Sequence, residues 1–210
     1  MGIHWEAFFM QQHKRLVVIL ETAIIAAFAM ALTYIPHTTG VSAIELNYGL
    51  IPIAVLAMRR GAIPAAWAGF VWGILDLILR GLSGGSVLNP VQGFLEYPIA
   101  FTLVGLMGLT FASFQKAVRG GGKVKASGYA FAGIIVGTFA KYFIHFIAGV
   151  VFWGSYAPKG MNVWIYSLIV NGGSALFSTV LAIVVVGILL TVAPQLFIAK
   201  DGKSLSTKAA

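Results

Sequence analysis

An all-α, polytopic membrane protein is the fold class this sequence predicts, and three observations predict it. Of 210 residues, 59% are hydrophobic and only 10% charged, with a mean hydropathy of +0.92, whereas a soluble domain carries roughly 25% charged residues. Apolar runs of membrane-crossing length recur between turn residues. The basic residues crowd onto alternate connections between those runs. Too little polar surface exists to cover a water-soluble α/β enzyme, and a disordered tail or a disulfide scaffold is excluded with it, since the chain has no cysteine. Residues 1–210 are expected to form one integral membrane domain without a soluble catalytic part.

The apolar runs predict six helices, near residues 16–35, 44–58, 62–79, 93–114, 128–153 and 163–192. The breakers between them are Pro36, Gly61, Gly81 with Gly84 and Gly85, Gly120 to Gly122, and Pro158 with Gly160. The first run follows Lys14 and Arg15 as a signal peptide would, but its length exceeds the usual apolar core of about 7–15 residues, so it is expected to remain as helix 1. The second is short and opens with Glu45, Asn47 and Gly49, which predicts an irregular stretch reaching into the protein. No internal repeat is visible.

With a cytoplasmic N-terminus, eleven of the 14 cations fall on the inside: Lys14, Arg15, Arg59, Arg60, Lys116, Arg119, Lys123, Lys125, Lys200, Lys203 and Lys208. Only Arg80 and Lys159 fall outside, and Lys141 lies within helix 5. Both termini are therefore expected in the cytoplasm. The formal charge of +8 orients the chain against anionic lipid headgroups, and nucleic acid is not expected as a partner.

Glu45, Asp76 and Glu96 then sit in the outer half of the bilayer or at its edge. An ionisable group at mid-bilayer costs on the order of 3 kcal/mol, so such residues usually face a cavity. Helix 5 carries Lys141, His145, Gly149 and Trp153 at four-residue spacing, a slowly winding stripe with about 6 Å between neighbours. His145 to Trp153 spans roughly 12 Å, the length of a two-ring ligand, and Lys141 lies roughly 18 Å from Trp153, which makes it the floor of such a site or a partner behind the residues that touch the ligand. Tyr166 and Asn171 on helix 6, and Gln92, Glu96 and Tyr97 on helix 4, reach the same depth.

Each residue has a blander reading. Trp153 and Tyr156 suit an interfacial aromatic belt, His145 an interhelical hydrogen bond and Glu96 a pair with Lys141. Asp76 suits a local pair with Arg80 four residues on, and Asn171 before Gly172 and Gly173 a kink. Taken together, these readings require several independent coincidences of depth. Two glutamates against one lysine, beside aromatic faces that attract cations, predict a small organic cation with an aromatic ring. A glutamate can also accept from an exocyclic amine.

The segments FLEYPI (94–99), KYFIHFIAGVVFW (141–153), SYA (155–157) and YSLIVNG (166–172), with IPI (51–53) and RRG (59–61), resemble the thiamine-specific S components of energy-coupling-factor vitamin transporters over nearly the whole chain. The resemblance implies a six-helix subunit in a prokaryotic plasma membrane. It would bind thiamine from outside, without a cofactor, and dock on a transmembrane T component and two ATP-hydrolysing subunits. It also implies that Glu96, His145, Trp153, Tyr166 and Asn171 touch the vitamin, with Trp153 stacked on the pyrimidine, Tyr97 at the site and a second glutamate at Glu45. Some members carry a tryptophan in the loop after helix 1. This chain has Val41 in that region, so stacking must rest more on His145 and Trp153. Ala23 and Ala27, with Ala31 at the same spacing, allow close helix approach, and the resemblance assigns the first two to docking on the T component; the alternative is packing inside the bundle.

Two other classes compete. An intramembrane enzyme would use Glu45, Asp76, Glu96 and His145 as acid and base, yet no known catalytic motif accompanies them. A proton-coupled secondary carrier for a small organic cation would be expected to show inverted halves, which are not evident. No G-x-x-x-x-G-K-[ST] motif occurs, so ATP must be hydrolysed by a partner.

Overall fold

The structure, a computed structural model, describes residues 2–36 and 44–199. Val41, and the Lys200, Lys203 and Lys208 used in the charge argument, lie outside the described residues. Within them the chain is helical, with no β-strand element. The helices are α1 (Gly2–Leu32), α2 (Leu50–Arg60), α3 (Ala62–Leu82), α4 (Pro90–Arg119), α5 (Lys123–Phe152) and α6 (Val163–Val192). Among the described residues, five helices are long and apolar enough to cross a membrane.

α2 differs from the expected helix near 44–58. It has 11 residues and rises only about 17 Å, short of a hydrocarbon core of about 30 Å. Residues 44–49 are not helical because α6 hydroxyls capture their backbone: Glu45 N–H donates to Ser174 Oγ at 3.0 Å and Asn47 N–H to Ser178 Oγ at 2.9 Å. α1 and α5 start earlier than their apolar runs, since backbone hydrogen bonding continues through polar residues. α4 starts at Pro90, where the Asn89 side chain accepts from Gln92 N–H at 2.9 Å, a capping signal that apolar-run counting passes over.

Three helices widen into π-turns, at Leu77–Leu82 in α3, Leu95–Ile99 in α4 and Leu168–Gly172 in α6. In α4 the cause is Pro98, which lacks an N–H and crowds the carbonyl four residues back. α3 and α4 pack closely around Trp72, which is fully buried with its ring edge-on to Phe101 at 4.6 Å. Gly73 permits this approach, since a Cβ there would lie 2.7 Å from the Tyr97 carbonyl oxygen. The outer surface is apolar instead of polar: Ile24, Phe28, Trp67, Leu109, Phe139, Val180 and Ile188 are all exposed, as lipid requires.

One end of the bundle is tied by a polar knot. Glu21 accepts from Arg59 Nη2 at 2.9 Å and from Arg60 Nε at 2.6 Å. Arg59 Nη1 also donates to the Leu196 and Ile198 carbonyls at 3.2 and 2.7 Å. Gln115 Nε2 bridges the carbonyls of Met58 and Phe197 at 2.6 and 2.8 Å. α1, α2, α4 and the turn Pro194–Phe197 are thus joined, so one cation serves three chain segments. Arg59→Ala is expected to destabilise the protein by about 2 kcal/mol, the scale of hydrogen bonds to charged groups, and thermal unfolding in detergent measures it.

Candidate functional site

At the opposite end, α3, α4, α5 and α6, with Thr33, Glu45 and Asn47, line a cavity of about 720 Å³. All three π-turns contribute to its wall: Leu79 and Arg80 from α3, Glu96 and Tyr97 from α4, Val170 and Asn171 from α6. A π-turn adds a residue to the helical turn and re-aims the side chains around it, and such turns concentrate at functional sites.

Glu96 is the centre of the wall. Its side chain accepts from the Trp153 indole N–H at 3.0 Å and from the Gln92 amide, and it lies 3.5 Å from His145 Nδ1. Gln92 is itself fully buried and fixed, its Oε1 accepting from Leu88 N–H at 3.0 Å. His145 Nε2 lies 3.0 Å from Lys141 Nζ. Lys141 is 3% exposed, with its ammonium 4.3 Å from the Phe101 ring centre and 4.5 Å from that of Tyr142. A chain of polar contacts thus runs from Trp153 through Glu96 and His145 to Lys141.

Every residue singled out from the sequence for ligand contact lines this cavity: Glu45 from the stretch before α2, Glu96 and Tyr97 from α4, Lys141, His145, Gly149 and Trp153 from the α5 stripe, Tyr166 and Asn171 from α6. Several details differ from expectation. Lys141 reaches His145, so the alternative of a Glu96–Lys141 pair is replaced by a relay through the imidazole. Tyr156, read as a belt residue, packs on Trp153 with ring centres 5.4 Å apart and joins the wall. Asp76 does pair with Arg80, at 3.1 Å, yet both also face the cavity.

Gly149 has a packing reason besides its place on the stripe. A Cβ there would overlap Ser167 Oγ and stand 3.0 Å from Asn171 Nδ2. Ser167 Oγ donates to the Phe146 carbonyl at 2.7 Å and accepts from Asn171 Nδ2 at 3.2 Å, so the missing side chain lets α6 bring Asn171 to the wall. Asn47, Phe101 and Tyr142 line the cavity as well and were not singled out from the sequence. Spacing carried a signal for two of them: Asn47 is two residues from Glu45 in an extended stretch, and Phe101 is four from Tyr97 on one helix face.

Ala23, Ala27 and Ala31 lie on the exposed side of α1, while Ala26 and Ala29 are the alanines that pack inside. The alternative that Ala23 and Ala27 fill the bundle is therefore excluded by their exposure.

Fold and cavity together define a multi-pass helical membrane protein with a charged, aromatic-lined internal site. The chain belongs to the thiamine transporter protein family (Thia_YuaJ), whose model matches residues 19–198. It is 92% identical over 201 residues to the thiamine transporter ThiT of Lacticaseibacillus paracasei, covering 96% of this chain and 100% of that one. It is 32% identical over 194 residues to ThiT of Bacillus subtilis, covering 89% and 97%. A solved structure of ThiT from Listeria monocytogenes superposes with a TM-score of 0.82 at 37% identity, over 89% of this chain and 100% of that chain.

Gly149→Ala tests the α5–α6 contact. The added methyl is expected to push Ser167 and Asn171 outward and cost about 1–3 kcal/mol, as overpacking does; thermal unfolding reads the cost, and Gly149→Ser should be no milder.

Proposed function

We propose that this chain captures thiamine for uptake, as the substrate-binding S component of an energy-coupling-factor importer, and is not itself an enzyme. The observation that carries the reading is the convergence of Glu45, Glu96, Tyr97, Lys141, His145, Gly149, Trp153, Tyr166 and Asn171 on one cavity. Its volume, about 720 Å³, is within the range of about 300–1,000 Å³ for small-molecule sites. In this reading Glu96 accepts from the exocyclic amine of the aminopyrimidine, Tyr166 and Asn171 hydrogen-bond the vitamin, Trp153 and His145 stack on its rings, and Glu45 and the aromatic rings balance the thiazolium charge.

Membrane topology follows from the same residues. Residues 44–47 carry no helix, 48–49 form a turn and α2 follows; at up to about 3.3 Å per residue before the turn and 1.5 Å in the helix, the two together reach about the thickness of the hydrocarbon core. We therefore count six crossings in a single domain, with both termini in the cytoplasm. The Glu21–Arg59–Arg60 knot then lies inside, where the sequence concentrates its cations, and the cavity opens outward in the plasma membrane of a prokaryote. Lacking a phosphate-binding loop, the chain relies on a T component and two ATPase subunits for energy. Ala23 and Ala27, exposed on α1 and remote from the cavity, supply the docking face.

Calorimetry with thiamine on the detergent-solubilised protein is expected to give one-to-one binding, and Glu96→Gln to weaken it by about 2 kcal/mol or more. Unchanged affinity in that variant would return Glu96 to a structural role. The Ala23→Trp, Ala27→Trp double variant is expected to bind thiamine normally yet to lose co-purification with the T component and ATP-dependent uptake. Normal uptake by the expressed variant would exclude this face.

A further inference from the structure

Five formally charged side chains line the cavity among the described residues: Glu45, Asp76, Arg80, Glu96 and Lys141. With His145 neutral they sum to one negative charge. Asp76 and Arg80 stand outside the relay from Trp153 to Lys141. Asp76 is 5% exposed, and its Oδ1 takes Arg80 Nη1 at 3.1 Å. The Arg80 side chain is 32% exposed, beside Ser83 and Ser86 of the connection that also edges the cavity. A pair needed only to hold a helical turn together has no reason to face the cavity with both members.

We propose that Asp76 and Arg80 set the charge preference of the site. Asp76 holds the guanidinium and brings the sum to minus one, so the cavity complements the free monocation of thiamine and disfavours its phosphate esters, whose added negative charge cancels or outweighs the thiazolium. Removing the carboxylate makes the site neutral and takes one anionic partner from Arg80. Removing the guanidinium has the opposite effect. Between charges about 10 Å apart at an effective dielectric of about 20, each unit is worth about tenfold in affinity.

This inference rests on the thiamine reading above, and the experiment separates the two. Thiamine and thiamine diphosphate are titrated by calorimetry into the wild type, Asp76→Asn, Arg80→Gln and the double variant, whose cavity sums are minus one, zero, minus two and minus one. Because the two ligands differ by two to three charge units, the preference for thiamine over its diphosphate is expected to fall about a hundredfold or more in Asp76→Asn, rise in Arg80→Gln, and return near the wild-type value in the double variant. A preference that falls in Asp76→Asn without returning in the double variant would assign the pair to packing and overturn the proposal. Equal preferences in all four proteins would overturn it as well. Should Asp76→Asn fail to fold, Arg80→Gln, which leaves the buried carboxylate in place, decides alone: its preference must rise. A wild type that binds neither ligand would defeat the thiamine reading itself.

Discussion

A carboxylate that is only 9% exposed, as Glu96 is, has little room for solvating water, so the protein must surround it with donors. Glu96 shows what this demands. An amide one turn back on its own helix, an imidazole from α5 and the indole of Trp153 at the C-cap of α5 all aim at one group, and each is held in turn by a further contact. To bring Glu96 and Tyr97 to the cavity together, α4 gives up regular α geometry at Pro98, and Gly73 clears space for the Tyr97 backbone against α3. The α6 serines that hold residues 45 and 47 belong to the same arrangement, since they supply the partners that the extended backbone would lack in lipid.

The polar groups are divided between two ends with an apolar middle. The Glu21–Arg59–Arg60 knot holds three chain segments together through charged hydrogen bonds. At the other end the charges are arranged around a space. Their Coulomb interactions there are weakly screened. α1 also presents small residues to the lipid side, where close packing is the main attraction between helices.

Much of this was legible in the residues. Helical period and spacing put Lys141, His145, Gly149 and Trp153 on one stripe, and the cation bias put Glu45, Glu96, Tyr166 and Asn171 at one depth, because both depend only on helix geometry and on the cost of moving charge through lipid. The irregular stretch at Glu45 was signalled by Asn47 and Gly49. The capped start of α4 at Asn89 and Pro90 was present in the sequence but hidden from a reading of apolar runs.

What the sequence by itself determined was the class of fold, the level of the site and the residue types in it, since composition and period act locally along each helix. Only the tertiary structure decided which groups meet. It paired Lys141 with His145 instead of Glu96, turned Asp76 and Arg80 toward the cavity, seated Tyr156 on Trp153 and left Ala23 and Ala27 facing outward. The facing of Asp76, Arg80, Glu96 and Asn171 toward one space depends on the rotation of each helix about its axis, to which π-turns at 77–82, 95–99 and 168–172 and close contacts such as Gly149 with Ser167 contribute. A shift of one residue in a helical turn moves a side chain by about 100°, and no pattern read along a single helix contains the surface of its neighbour.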